Sequence, residues 1–130
     1  MRLALALGTL LLLSCEEERV RPWPRELSNS TSLVIAWEDL EGPPVSRTIT
    51  GDELGKVQKF FRPNARSGRF KCGFHRDASF TLASGRRVDL CFGCGIADLD
   101  GEYAFDAEGL RGVYVELLGP QPKQKNPFPR

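Results

Sequence analysis

From Leu3 to Leu13 the chain is apolar except for Gly8 and Thr9, and one basic residue, Arg2, stands before the run. A helix that crosses a bilayer needs about 20 apolar residues, so this segment is too short to span comfortably. It has the form of the h-region of a secretory signal. The expectation is that residues 1–14 are removed and that the remaining 116 of the 130 residues fold outside the cytoplasm, where disulfides persist. That length allows one domain at most.

The apolar run stops at Leu12-Leu13-Ser14-Cys15 and is followed at once by EEERVRPWPRE. These four residues resemble a bacterial lipobox, in which signal peptidase cuts before a cysteine that carries diacylglycerol. Leu12 at −3 and Ser14 at −1 match that pattern, and Leu13 at −2 is tolerated. An ordinary secretory cleavage site would be A-x-A-like, and none lies near residue 15. The resemblance implies a lipoprotein acylated at Cys15 (palmitate among its chains) and lipid-anchored to the bacterial cell envelope. More than one acyl chain is needed for stable anchoring. Glu16, where an aspartate signals inner-membrane retention in some bacteria, leans the expectation towards the outer membrane in a cell that has one.

Of 18 basic residues one, Arg2, lies in the leader, so the remainder carries 17 basic and 17 acidic side chains. No strong global field is left to attract nucleic acid. Residues 15–30 begin with the lipidated cysteine and read as a charged, flexible tether. The stretch from Gly119 to Arg130 contains four prolines and reads as a disordered tail. The domain is expected over residues 31–118, a size at which a disulfide or a metal often supplements the core.

Within that span, Ser32 to Glu38 reads as a buried strand ended by Gly42-Pro43-Pro44. Thr50-Gly51-Asp52-Glu53 has the form of a capping box before Leu54, Val57, Phe60 and Phe61, which predicts a helix over 51–61 ended by Pro63. Arg69 to Phe74 leads into a hairpin formed by Ser79–Leu82 and Arg87–Phe92 around Ser84-Gly85. Asp100-Gly101 reads as a second hairpin turn, with Tyr103–Phe105 as its return strand. Leu110, Val113, Tyr114, Leu117 and Leu118 recur at helical spacing, although Val113-Tyr114-Val115 has strand character; helix is the favoured reading. The expected fold class is a small α+β domain, an antiparallel hairpin or meander with one or two helices. Trp37 is expected in its core, and Trp23 in the tether or at an interface.

If Cys15 carries lipid, three cysteines remain: Cys72, Cys91 and Cys94. An odd number cannot pair completely within one chain. The sole histidine, His75, completes the spacing Cys72-x2-His75, fifteen residues, Cys91-x2-Cys94. That spacing falls within the zinc-ribbon type, and Cys3His is an accepted zinc set. The oxidising compartment favours a disulfide instead, worth about 3 kcal/mol for a loop of about 20 residues in the chain-entropy model. A redox-active Cys91/Cys94 pair is a third reading. It lacks the helix start after Cys94 that would lower a thiol pKa.

The segment CGFHRDASFTLASGRRVDLCFGC also resembles the core of a group of exported bacterial proteins that carry a cysteine, a P-R-H-G/A-like stretch, a hydrophobic hairpin and an ending near I-C-F-x-C. Cys72, Arg76, Ala78 and the Cys91-Phe92-x-Cys94 ending fall on matching positions. The group's histidine falls on Asp77, and His75 falls where proline is usual. The resemblance implies that His75 is not an inherited ligand, and it implies no activity.

One histidine supports no Ser-His-Asp constellation. Asp98, Asp100 and Glu102 surround a turn without the spacing of a calcium loop. Arg62, Arg66, Arg69, Arg76, Arg86 and Arg87 read as ordinary surface charge. The expectation is an envelope binding or accessory module with no catalytic residues and no cofactor. Its partners would be the membrane, through the lipid, and an envelope protein. The alternative is a zinc-binding or thiol-redox envelope protein built on Cys72, His75, Cys91 and Cys94.

Overall fold

The computed structural model describes residues 19–21, 23–61, 65–68 and 73–125, with backbone alone for 19–21 and 65–68. Cys15, Pro63, Cys72, the expected lead-in at 69–72 and residues 126–130 lie outside the described residues. The architecture is α+β, as the patterning predicts. Among the described residues eight strands form one sheet: β1 (Arg19–Arg21), β2 (Ser32–Trp37), β3 (Val45–Thr50), β4 (Ala65–Gly68), β5 (Ala78–Leu82), β6 (Arg87–Cys91), β7 (Ile96–Asp98) and β8 (Glu102–Ala104). Their spatial order is β1-β4-β8-β7-β6-β5-β2-β3. Every pairing is antiparallel. Among the described residues three helices accompany them: α1 (Arg25–Ser28), α2 (Gly51–Gln58) and α3 (Ala107–Leu118).

Register explains which side of the sheet is dry. Leu33 pairs with Leu82, Ile35 with Phe80 and Trp37 with Ala78; Phe80 then faces Val88, Ala78 faces Leu90, and Leu90 faces Ala97. A two-residue period puts all of these on one face, and each is buried. Helices α2 and α3 pack on each other and on β2 and β3, bringing Leu54 and Val57 from α2, and Leu110, Tyr114 and Leu117 from α3, into the same core. The opposite face carries Val34, Thr81, Arg87, Asp89, Asp98 and Glu102, with Val34 exposed. An antiparallel sheet with one wet face alternates in this way, although Ser79, Cys91 and Ile96 on that face are buried.

The hairpins sit where the sequence puts them. β5 and β6 flank the turn at 83–85, with Gly85 at φ 91°. Between β7 and β8, Asp98 pairs with Glu102, so the connection is Leu99-Asp100-Gly101, three residues rather than two, with Asp100 at φ 51°. Helix α3 resolves the ambiguity at residues 110–118. Asp106 caps it by accepting the Gly109 amide at 3.1 Å, and Gly119 at φ 87° ends it.

Four expectations are corrected. The capping box at Thr50 does not form: Thr50 is the N-cap residue but makes no side-chain cap bond. Glu53 turns instead to Arg47, 2.6 Å from Nη2, and Nη1 of that arginine donates to the carbonyl of Leu117 at 3.1 Å. α2 ends at Gln58, short of Phe61. The expected tether is largely part of the domain. β1 lies in the sheet, and Trp23 and Leu27 are buried, Trp23 stacking on Tyr103 at 4.2 Å between ring centroids and meeting Phe61 edge-on at 4.7 Å. An indole in that position supplies a large apolar area to a small core. Finally, residues 119–125 are not a free tail. Gly119 accepts the indole N–H of Trp37 at 3.2 Å, Leu40 and Gln124 form a bridge, and the Lys125 amide reaches the Asp39 carbonyl at 2.6 Å. Proline disfavours a sheet interior, but this segment lies along a loop, where it needs only isolated pairings.

Candidate functional site at the cysteine turn

β6 delivers Cys91, and the chain then turns through Phe92-Gly93-Cys94-Gly95, closed by the Gly95 amide donating to the Cys91 carbonyl at 2.9 Å. Gly95 sits at φ 69°, and a Cβ there would lie 3.2 Å from the carbonyl oxygen of Phe105. The positive φ favours glycine, and the close Phe105 carbonyl leaves little room for a side chain. The turn leads straight into β7, whose Ile96 pairs with Cys91.

The two cysteines of this turn have different fates. Cys91 is a free thiol, 1% exposed. Cys94 is disulfide-bonded, and its Sγ lies 4.0 Å from the carbonyl oxygen of Gly73. A disulfide sulfur is not a thiolate, and the thiolate is what ligates zinc. In this state the four-ligand set Cys72, His75, Cys91 and Cys94 is therefore incomplete. Among the described residues no group of three or more His, Cys, Asp or Glu side chains is placed to hold a metal ion.

Residues 73–77 run up to β5 and are locked by Asp77. Its amide donates to the Leu90 carbonyl at 2.9 Å, its carbonyl accepts from Glu38 at 2.9 Å, and its Oδ2 accepts the Phe92 amide at 2.7 Å. Asp77 thus brackets Cys91 through the residues on either side of it. A buried carboxylate with a main-chain donor has the satisfaction that burial demands. His75 lies beside it. Its Nε2 stands 3.9 Å from Asp77 Oδ1 and 3.9 Å from Asp39 Oδ2.

A charged network continues from this end across the wet face of the sheet. Glu38 accepts from Ser79 Oγ and from Arg87 Nη2, both at 2.8 Å, while Arg87 Nε reaches Asp89 at 2.7 Å. Partial burial works against the Arg87 charge, but Asp89 and Glu38 more than offset it and raise its pKa further. Arg86 pairs with Glu26 and Asp100, and Arg76 lies 3.9 Å from Asp89. Each of these three arginines has a carboxylate partner, as ordinary surface charge does. The side chains of Arg62, Arg66 and Arg69 lie outside the described residues.

Sequence reasoning singled out His75, Cys91 and Cys94 but missed Asp39 and Glu38. The available signal was Trp37-Glu38-Asp39, carboxylates directly after an apolar strand, where a polar residue normally marks only a loop. Comparison of the chain with protein-family models, with curated proteins and with solved structures finds no match.

Proposed function

We propose that this chain is a lipid-anchored bacterial envelope protein whose domain serves as a non-catalytic binding or accessory module. The observation that carries the reading is the unequal state of the two cysteines, Cys94 oxidised and Cys91 a buried free thiol. A redox dithiol needs both sulfurs of the pair to reach each other and a substrate, whereas a bridge from Cys94 to a more distant cysteine staples a small core. Gly73 lies against Cys94 Sγ, and so Cys72, its chain neighbour, is the partner we assign. That bridge suits an oxidising compartment, in agreement with the leader and with the lipobox-like Leu12–Cys15. The wet sheet face, with mixed charge in register from Arg87 to Glu102, is the surface such a module would offer to an envelope partner.

Two measurements test the reading. Acyl labelling of the full chain in a bacterial host is expected, and Cys15→Ser should abolish it; labelling unchanged by that substitution would overturn the anchor. Intact mass without reductant should fall about 2 Da below the all-thiol value, since one bridge loses two hydrogens, with one thiol open to alkylation after unfolding. Three alkylatable thiols would sink the structural bridge.

A further inference from the structure

Among the described residues β3 is an end of the sheet, with β2 on one side and no strand on the other. Its register with β2 runs from Ser32–Thr50 to Trp37–Val45 without a skipped residue, so the strand has no bulge. Ser46, Arg47 and Thr48 are exposed in succession. The main chain from Val45 to Ile49 bonds to β2 and to no other described residue. In an antiparallel ladder alternate residues turn both N–H and C=O to the same side, so about half of these groups point outward, away from β2. Open edges are commonly blunted by lysine, proline or a bulge. Val45–Thr50 contains none of them, and the guanidinium of its one charged residue, Arg47, is drawn onto Glu53 and the Leu117 carbonyl. We propose that β3 is a homodimer interface. It pairs antiparallel with β3 of a second copy, across a two-fold axis at Thr48, and joins two sheets into one.

The residues of the strand select both the occupant and the register. A two-fold axis normal to the sheet keeps like faces together only if residues of the same parity stand opposite each other. Centred on Arg47, the pairing would set two guanidinium groups side by side, which is unfavourable. Centred on Ser46, it would run into Pro44, which cannot donate to a ladder. Centred on Ile49, it would run past Thr50 into α2. Centred on Thr48, it sets Ser46 opposite Thr50 of the second copy, Arg47 opposite Ile49, and the two Thr48 side chains against each other. Hydroxyl pairs of this kind are favourable cross-strand neighbours, and no like charges meet. The axis also stands clear of the cavity of about 320 Å³ at the other end of β3, where Val45 and Ser46 border Pro44 and Lys125. On the wet face Thr48 is the register partner of Val34, which is 39% exposed. The dimer continues that row through the axis to the second copy's Thr48 and Val34. Such an isologous contact closes on itself, so no third copy can add at β3. The proposal depends on neither the lipid anchor nor the cysteine bridge.

The test is sedimentation velocity on the untagged full chain in detergent, from micromolar to millimolar protein. A monomer passing to a dimer, and to nothing larger, is expected. Thr48→Lys places two ammonium groups on the axis and should weaken self-association at least about tenfold. Its side chain is exposed, so the variant should melt with the parent at the lowest concentration. Mild oxidation of Thr48→Cys should give a covalent dimer, because directly opposed Cβ atoms stand about 4.5–5.5 Å apart. Ser46→Cys should give none, because its two copies would lie four residues apart along the ladder. The cross-link decides alone if Thr48→Lys does not fold. A parent that stays monomeric overturns the proposal and leaves the edge to an extended segment of another protein. Growth beyond the dimer, undiminished association in Thr48→Lys, or a cross-link at residue 46 in place of 48 would each overturn it too.

Discussion

The phenolic hydroxyl of Tyr114, on α3, donates to the main-chain carbonyl of Ser79, on β5, at 2.7 Å, and Tyr114 is 0% exposed. Burial, and behind it the negative charge of Glu38, raises the pKa of this phenol well above its ordinary value of 10.0. The folded state thus holds the proton more tightly than the unfolded chain does. The stability gained is complete below pH 10 and is lost as pH rises further, because the unfolded tyrosine ionises first. Tyr114→Phe should cost about 1–3 kcal/mol at neutral pH by leaving the carbonyl of Ser79 without this donor. It should also flatten the alkaline fall in stability. Urea melts from pH 8 to 11 on both proteins check this, and parallel curves would refute it.

Gln58, at the end of α2, uses one amide nitrogen to reach the carbonyls of Leu27 and Ser30, both at 3.1 Å, with Ser28 farther off at 3.4 Å. Leu27 and Ser28 end α1 and Ser30 lies just beyond it, so the Gln58 side chain ties the C-terminal end of this short helix to α2. Gln58→Leu keeps the volume and removes the donor. It should destabilise by about 1–3 kcal/mol and make the chain around Ser28 the first site of limited proteolysis.

Gly109 lies in the first turn of α3, where alanine would normally stabilise a helix by up to about 1 kcal/mol. Here an added Cβ would stand 2.6 Å from Asp106 Oδ2 and 2.6 Å from a ring carbon of Phe60. Gly109→Ala is therefore expected to lower the melting temperature, because it displaces the Asp106 cap and the packing of Phe60, which follows α2, together. Gly112 has open space around it, and Gly112→Ala should raise the melting temperature. The opposite signs are the prediction.

Cys94→Ala should remove the mass deficit of the oxidised chain and cost about 2–4 kcal/mol. Cys91→Ala should leave the deficit in place and cost only what a small core truncation costs. A lost deficit in the Cys91 variant would mean that the bridge had been assigned to the wrong sulfur.

The strands β2, β5 and β6 and the helix α3 were legible because each repeats its apolar residues at a period that packing then uses. β3 was not. Among Val45-Ser46-Arg47-Thr48-Ile49-Thr50 only Val45 and Ile49 are apolar, and an edge strand needs no more. Trp23 and Leu27 sit among charges and prolines, so composition placed them in a tether, while tertiary packing gave them a dry site against Phe61 and Tyr103. At the site, cysteine spacing was visible and the carboxylates were not. Asp39 meets His75 only because β2 ends beside the loop that precedes β5, a neighbourhood that no local pattern encodes.

β1 begins at Arg19, and only Glu16, Glu17 and Glu18 separate it from Cys15. Even fully extended, the four steps from Cys15 to Arg19 reach about 14 Å. With lipid on Cys15 the domain has no long leash. The β1 edge of the sheet would ride close above the lipid head groups, and whatever this protein meets would have to come to the membrane to be met.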